Sequence, residues 1–386
     1  MNPRLLAGLA LGVPVGLQGA WHSLLGVVAL PSSRKSDPRP GIPGATLAIL
    51  VPAHNEEALL VRTIESLLAA ATVDTEIIVI ADNCSDATAD IAREMGVTVL
   101  ERFDASERGK NYALDFAIRL LAMRAQPPSI VAVVDADTIV SPNFADEVAN
   151  AISSEAAALQ VHYRAPMSTR TLGRIRRLAL ALAHWSRPLG ASRLGLGTSL
   201  KGNGMAFSWE IARGGIGGHG ITEDAAFTLS LTAHGIAVRF VPGAWVEGFM
   251  AEDYAAARVQ DDRWERGRRG LLREAAFTTI RAARRGDFAA ATGAAEVATL
   301  PLSIALSASM VASLLLLAGG VPVVLALTPA GLVAASVAIG WAAARVSPAD
   351  LAALGSVPRF VAYKLAVTAR GVVARGDRDW VRTSRS

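Results

Sequence analysis

The stretch SIVAVVDADT, Ser129 to Thr138, runs through apolar β-formers and then places two carboxylates, Asp135 and Asp137, where the run stops. A continuous apolar run without polar alternation reads as a strand buried on both faces. Paired negative charge at such a strand end is costly unless a cation comes to meet it. Upstream segments repeat the design. TLAILVPAHNE, Thr46 to Glu56, reads as strand then loop, TEIIVIADNCSD, Thr75 to Asp86, as strand then polar loop, and VTVLER, Val97 to Arg102, as a third strand. Apolar residues at helical spacing predict helices over Glu56 to Ala70, Asp86 to Met95 and Gly109 to Met123. This alternation predicts an α/β domain with a Rossmann-like, mostly parallel sheet covered on both faces. Ligands of such sheets bind beyond the carboxyl ends of the strands. Polar residues gather at three of those ends: Asn55-Glu56, Asp82-Asn83 and Asp135-Asp137.

The rest of the composition points to a membrane. Hydrophobic residues make up 52% of the 386, and mean hydropathy is +0.35. No Asp, Glu, Lys or Arg occurs from Leu5 to Leu30, nor from Val297 to Ala344. One span needs about 20 apolar residues, so the first run predicts one span and the second a two-helix hairpin. A cleaved signal peptide is the alternative for the first run; its length, with Arg34 and Lys35 following, favours a retained anchor. By the positive-inside rule the central region and the basic C-terminus face the cytoplasm. The expected divisions are an anchor at 1–32, a linker at 33–45, the catalytic domain at 46–255, amphipathic interface helices at 256–295, the hairpin at 296–346 and a basic tail with an interface helix at 347–386.

The net charge of +4 is concentrated in Arg258 to Arg285. Its basic residues alternate with Ala, Leu and Ile rather than with base-stacking aromatics, which argues against nucleic acid and for a helix lying on the bilayer. Thr171 to Trp185 is a second segment of that kind, and a solvated helix face is the plainer reading of either. The single Cys84 allows no intramolecular disulfide.

Neither G-x-G-x-x-G nor G-x-x-x-x-G-K-[ST] follows a strand, which excludes the usual dinucleotide and P-loop sites. Carboxylates at a strand end suit a divalent cation with hard oxygen ligands, bridging to a phosphate-bearing substrate. His54, His162, His219 and His234 lack zinc-ligand spacing; His219 stands near Thr222-Glu223-Asp224 and could line a pocket. Trp209 and Trp245 could stack on a sugar or fill a core. Thr222-Glu223-Asp224 precedes an apolar helical run and could be a plain N-cap. QDDRW, Gln260 to Trp264, precedes the basic stretch, and Lys110 opens a helix whose amides could help it hold phosphate.

In this order and at these separations, the motifs resemble the membrane-bound inverting glycosyltransferases of family 2, which include the synthases of cellulose, hyaluronan and chitin oligosaccharides. The resemblance runs from VPAHNE at Val51 through the WVRTSR tail. ADNCSDAT, ERFDASERGKNYALDF, KGNGMAFSW and ITEDAAFTLSL are most similar to the bacterial exopolysaccharide branch, the group like the methanolan-synthesis glycosyltransferase. The resemblance implies a GT-A nucleotide-sugar-binding domain in a multi-pass protein of the bacterial inner membrane, its catalytic domain cytoplasmic. By position, Ala53, Asn55 and Glu56 would line the nucleotide pocket, Asp82 would read a uracil-type base, and Lys110 would contact the nucleotide or diphosphate. Asp135 would approach the nucleotide-sugar, and Asp137 would bind Mg2+ or Mn2+ with Asp135 beside it. Asp224 matches the catalytic base. Gly202 and Asn203, with Thr222 and Glu223, stand on the acceptor side, and Gln260, Arg263 and Trp264 match the Q-x-x-R-W motif near acceptor and diphosphate. KGNGMAF departs from the F-F-C-G form of cellulose synthases, so acceptor choice does not carry over.

The implied reaction moves a sugar from a nucleoside-diphosphate sugar, a UDP-sugar foremost, to a lipid-linked or growing glycan acceptor with inversion. The resemblance also implies polysaccharide-export partners. The alternatives are a single-sugar transferase acting on a polyprenyl phosphate or ceramide-like lipid, and a non-catalytic scaffold that binds nucleotide-sugar. Three spans are few for a processive channel, which favours one sugar or a short run.

Overall fold

The structure, a computed structural model, describes residues 2–31, 44–153, 156–216, 222–250 and 253–373, with backbone alone at 255–256, 259–260, 262–266, 268–269 and 369–373. Most of the expected linker and the end of the basic tail lie outside the described residues.

The chain opens with α1 (Pro3–Ala29). Strands and helices then alternate through β1 (Leu47–Ala53), α2 (Leu60–Ala70), β2 (Thr75–Asp82), α3 (Thr88–Glu94), β3 (Thr98–Arg102), α4 (Lys110–Ala122) and β4 (Ile130–Val133). Next come β5 (Thr138–Val140), α5 (Phe144–Ala151), β6 (Ala158–Arg164), α6 (Thr171–Leu180), a π-helical segment (Ala181–Ser186) and α7 (Arg187–Arg193). They are followed by β7 (Met205–Ser208), α8 (Trp209–Ala212), α9 (Glu223–Ala233) and β8 (Val238–Gly248). The last part is helical: α10 (Tyr254–Arg284), α11 (Phe288–Ala298), α12 (Leu302–Ala318), α13 (Val323–Ala326), α14 (Thr328–Ala344), α15 (Pro348–Leu351) and α16 (Val357–Val373).

One eight-stranded sheet has the order β3-β2-β1-β4-β7-β6-β8-β5. Its first four strands, those legible in the sequence, pair in parallel. The period-two alternation of β1 explains how both faces are covered. Ile49 and Val51 pack beneath Leu60, Ile64 and Leu67 of α2. Ala48 and Leu50 pack against Leu114, Ile118 and Leu121 of α4 on the other face. Each such fully buried aliphatic side chain contributes roughly 1.5–3 kcal/mol.

The other half departs from the expected parallel pattern. Strand β7 runs antiparallel to β4 and β6, and β5 antiparallel to β8, while β6 and β8 are parallel. Strands as short as β5 and β7 carry too few residues for a periodic signal. Helix α2 begins at Leu60 rather than Glu56, because Asn55 takes a left-handed φ of 56° and the Glu56 carbonyl accepts from both Leu59 and Leu60 in a turn.

Of the apolar helices, α1 alone among the described residues is both long and apolar enough to cross a membrane by itself. The pair α11–α12 passes the same test jointly but bends by 78°, and α14 is a shorter apolar helix of 17 residues. The glycine-rich face of α1 lies on α12 and α14, so close that a Cβ on Gly19 would sit 2.8 Å from the Leu332 carbonyl carbon. Its opposite face, with Leu9, Val13, Leu17 and Val27, is exposed.

Candidate functional site

The site forms where the loops after β1, β2 and β4 meet two segments from much later in the chain. Asp135 and Asp137 follow β4 in a turn closed by the Thr138 N–H donating to the Asp135 carbonyl at 3.2 Å. That turn is locked from outside. The Asn203 side chain accepts from the Asp135 N–H at 3.2 Å and donates to the Thr138 hydroxyl at 2.8 Å. Thr138 in turn donates to Asp137 at 3.3 Å. Gln160 of β6 holds the other side of the clamp, donating to the Asn203 carbonyl and accepting from the Lys201 N–H, both at 2.8 Å.

Asn203 therefore corrects its expected acceptor-side role. It is 1% exposed, its side chain is spent on the Asp135–Thr138 turn, and it positions the acids instead of meeting a substrate. Gly204 beside it has φ +66°, and a Cβ there would stand 2.6 Å from Val161 and 2.8 Å from Val246. Only glycine lets this loop pass so close to the sheet.

Lys110, the first residue of α4, reaches across the site. Its ammonium donates to the Asp135 carboxylate and to the Gly202 carbonyl. Gly202 in turn abuts Asp224: a Cβ on it would lie 3.4 Å from the Asp224 carboxylate. Burial lowers the Lys110 pKa, but Asp135, Glu223 and Asp224 outweigh it and the net shift is upward, so the ammonium stays charged. Asp224, at the start of α9, is pushed up by burial, against the pull of the Ala225 N–H, Lys110 and Lys201. Burial, with Asp135 and Asp137, also raises the Tyr163 hydroxyl, which stays protonated in the floor of the site. Asp135, Glu223 and Asp224 thus all act on Lys110, and Asp135 and Asp137 on Tyr163.

The loops after β1 and β2 are knitted together as one wall. Asn55 accepts from the Ser85 N–H at 2.7 Å, and the Glu56 N–H donates to Thr88 at 2.8 Å. The Ala53 carbonyl takes the Cys84 thiol at 3.5 Å. Asp82 is buried, and its Oδ1 accepts from Arg102 at 2.8 Å and Asn83 at 3.1 Å. Both bonds fall on one carboxylate oxygen, so the base-reading role expected of Asp82 is confined to the other.

Thr222 is brought against α10 at Gly267, where a Cβ would overlap it. The side chains of Gln260, Arg263 and Trp264 lie outside the described residues, as does His219. Their neighbour Asp261 is described: it is buried and paired with Arg176 at 3.0 Å and Lys364 at 3.5 Å. Arg176 shows that Thr171–Trp185 is more than a surface helix, since α6 buries charge on its way to the π-helical segment. Trp209 packs against the core, and Trp245 lies beneath the Arg164 guanidinium, 3.3 Å from ring centre to Cζ.

Residues 43–267, more than half of the chain, match the family described as Glycosyltransferase like family 2. The chain belongs to that family. Among solved structures it is similar to the mannosyltransferase PcManGT from Pyrobaculum calidifontis, in complex with GDP-Man and Mn2+. That likeness has 18% identity, covers 96% of this chain and 99% of that one, and has a TM-score of 0.59. A second likeness is to glucosyl-3-phosphoglycerate synthase from Mycobacterium tuberculosis, solved with Mn2+, UDP and phosphoglyceric acid. There the identity is 21%, over 56% of this chain and 77% of that one, with a TM-score of 0.38. No curated protein matches the sequence. The first likeness extends over almost the whole chain and shows the fold, GT-A α/β with a mixed sheet in its central part.

Within this family 2 glycosyltransferase, sequence reasoning missed Lys201, Tyr163 and Glu296. Lys201 holds down the pKa of Asp224 and donates to Glu296 at 2.8 Å. Its place next to Gly202 in KGNG was the one available signal. Glu296 is an isolated acid in an apolar segment, and Tyr163 stands between His162 and Arg164 in no recognised motif, so neither carries a local signal.

Proposed function

We propose that this family 2 glycosyltransferase moves a sugar from a nucleoside-diphosphate sugar to a hydroxyl of a lipid-linked or growing glycan acceptor, with inversion at the anomeric carbon. One observation carries the reading: Lys110 ties the Asp135 carboxylate to the Gly202 carbonyl, and Asp224 lies against that same glycine. An acid at the end of β4 and a buried acid suited to proton transfer are therefore linked through Lys110 and Gly202. In this reading Asp224 takes the proton from the acceptor hydroxyl as its oxygen attacks the anomeric carbon from one side. The bond to the diphosphate breaks on the other side, near the positive charge of Lys110. Single displacement of this kind inverts configuration.

The residues present fit a divalent cation. Asp135 and Asp137 are partly exposed hard-oxygen donors, and both add to the effect of burial in raising Tyr163. Among the described residues no group of three or more acids, His or Cys forms a closed metal site, so diphosphate oxygens and water would complete the shell, as Mg2+ or Mn2+ commonly requires. When bound, the ion supplies charge to offset the departing diphosphate. The Mn2+ in the mannosyltransferase structure is consistent with this.

The reading extends to a membrane enzyme with three spans: α1, and α12 with α14 as a hairpin. Its support is the exposed apolar residues Leu9, Val13 and Leu17 of α1, Met310 and Leu314 of α12, and Val324 of α13, the kind of surface that marks a membrane or protein contact. At 17 residues, α12 and α14 rise about 25 Å, the lower limit for crossing. The sequence resemblance supports a cytoplasmic catalytic domain, a UDP-sugar or a related donor, and exopolysaccharide synthesis as the setting.

Purified protein in detergent, given labelled UDP- and GDP-sugars with Mn2+, should release nucleoside diphosphate and place label in a lipid-extractable product of opposite anomeric configuration. Failure of every donor in such a panel to bind or turn over would overturn the reading.

A further inference from the structure

On the far side of Lys201 from Asp224 lies a second charged cluster, at the junction with the apolar helices. Glu296 of α11 is its centre. Its Oε1 accepts from the Lys201 ammonium at 2.8 Å, and its Oε2 accepts from the Thr198 hydroxyl and the Ser199 N–H, both at 2.7 Å. These bonds fix the loop that carries Gly202 and Asn203. Arg187, the first residue of α7, feels the Glu296 charge but makes no hydrogen bond or ion pair with any described residue. It is partly buried. Burial pushes its guanidinium down to about 10, with Glu296 opposing, so it remains charged at neutral pH. His184 is held neutral, down to about 3, by burial and by Lys201. Lys201 is hydrogen-bonded to Glu296, and Arg187 is the third charge of the cluster, near Glu296 but without a hydrogen bond among the described residues.

A partly buried cation ordinarily has a partner. Arg187 presents five N–H donors in a fork that matches phosphate oxygens. Its position follows from the π-helical segment before it, a rare geometry that recurs at functional sites. That segment and α7 lie against the apolar helices. Gly340 of α14 meets Leu182 and Ser186, a Cβ on Gly190 would overlap the Leu25 carbonyl of α1, and the Trp341 indole donates to the Leu178 carbonyl at 2.9 Å.

We propose that Arg187 binds a phosphate group of the acceptor, presented from the side of α1 and α14, with Lys201 linking this anion site to Asp224. The assignment of the phosphate to the acceptor rests on the transferase reading; the anion site itself does not.

The test uses the full chain in neutral detergent without metal, titrated with dodecyl phosphate, dodecanol and inorganic phosphate by calorimetry. Dodecyl phosphate should bind at least tenfold more weakly to Arg187→Met than to the wild type, with part of the affinity regained in Arg187→Lys. Dodecanol should not distinguish the three proteins. Because it removes an unpaired cation, Arg187→Met should melt no lower than the wild type. Equal dodecyl phosphate affinity in Arg187→Met overturns the proposal, and so does a steep fall in its melting temperature, which would make Arg187 a structural strut. Inorganic phosphate binding as tightly as dodecyl phosphate would overturn delivery from the membrane side. UDP and GDP binding with Mn2+, measured separately on the wild type, reports on the donor site. Its absence beside Arg187-dependent phosphate binding would sink the transferase reading and leave the anion site standing.

Discussion

The wall built from the loops after β1 and β2 is held by near neighbours in sequence, and the side around Lys110, Gly202 and Asp224 by distant ones. Arg102 and Asp82 are 20 residues apart, Asp104 and Asn83 are 21, and Asn55 and Ser85 are 30. Across the site the separations are 92 for Lys110 with Gly202, 68 for Asp135 with Asn203, and 97 for Ser199 with Glu296. The two halves also differ in how charge is treated. Beside the wall of β1 and β2 loops the buried guanidinium of Arg102 meets Asp82, Asp104 and Glu107. On the Asp224 side, Asp224 is pushed up by burial, and Arg187 makes no hydrogen bond among the described residues. Stability is concentrated in the first half. The second holds groups at an energetic disadvantage in the resting fold, where a substrate can relieve it.

Asp224→Asn tests this division most severely. Transfer should fall by about 10²–10⁴ with the loss of the general base, while nucleotide affinity is kept. The sign for stability is opposite. A carboxyl with a folded pKa above its unfolded value favours folding below that range and loses the contribution as pH rises through the folded pKa. At neutral pH the neutral Asn should therefore melt no lower than the wild type, and a large loss of stability would break the comparison. Chelation by EDTA should cost on the order of a hundredfold or more in rate, reversed by Mn2+ or Mg2+. Full turnover without metal would remove Asp135 and Asp137 from the donor site.

Beside the wall of β1 and β2 loops, Arg102→Met should destabilise the fold by about 3–5 kcal/mol in chemical denaturation, since it strands the buried Asp82 carboxylate. Gly204→Ala should cost roughly 1–3 kcal/mol, because the added methyl meets Val161 and Val246 and the φ of +66° suits glycine. An alanine there without cost would mean that the clamp on Asp135 is loose. The smallest effect expected is a shift in a pH profile. Lys201 favours the ionised form of Asp224, so Lys201→Met should move the acid limb of the rate upward by about one pH unit. An unmoved limb would separate Lys201 from the base.

The sequence by itself determined the parallel half of the sheet, its helices and the apolar segments, because each is written in a local period or run. Ile49, Leu50 and Val51 have no choice but burial, and the acids at the ends of β2 and β4 follow from where the apolar runs stop. It also singled out Asp135, Asp137, Lys110 and Asp224, through motifs rather than geometry. Only the tertiary structure decided that Asn203 is a clamp, that Lys110 joins Asp135 to Gly202, and that Lys201 stands between Asp224 and Glu296. These contacts close loops of many tens of residues. No local pattern encodes such a closure; it follows from the mixed half of the sheet and the helices packed on it, which bring those segments to one place.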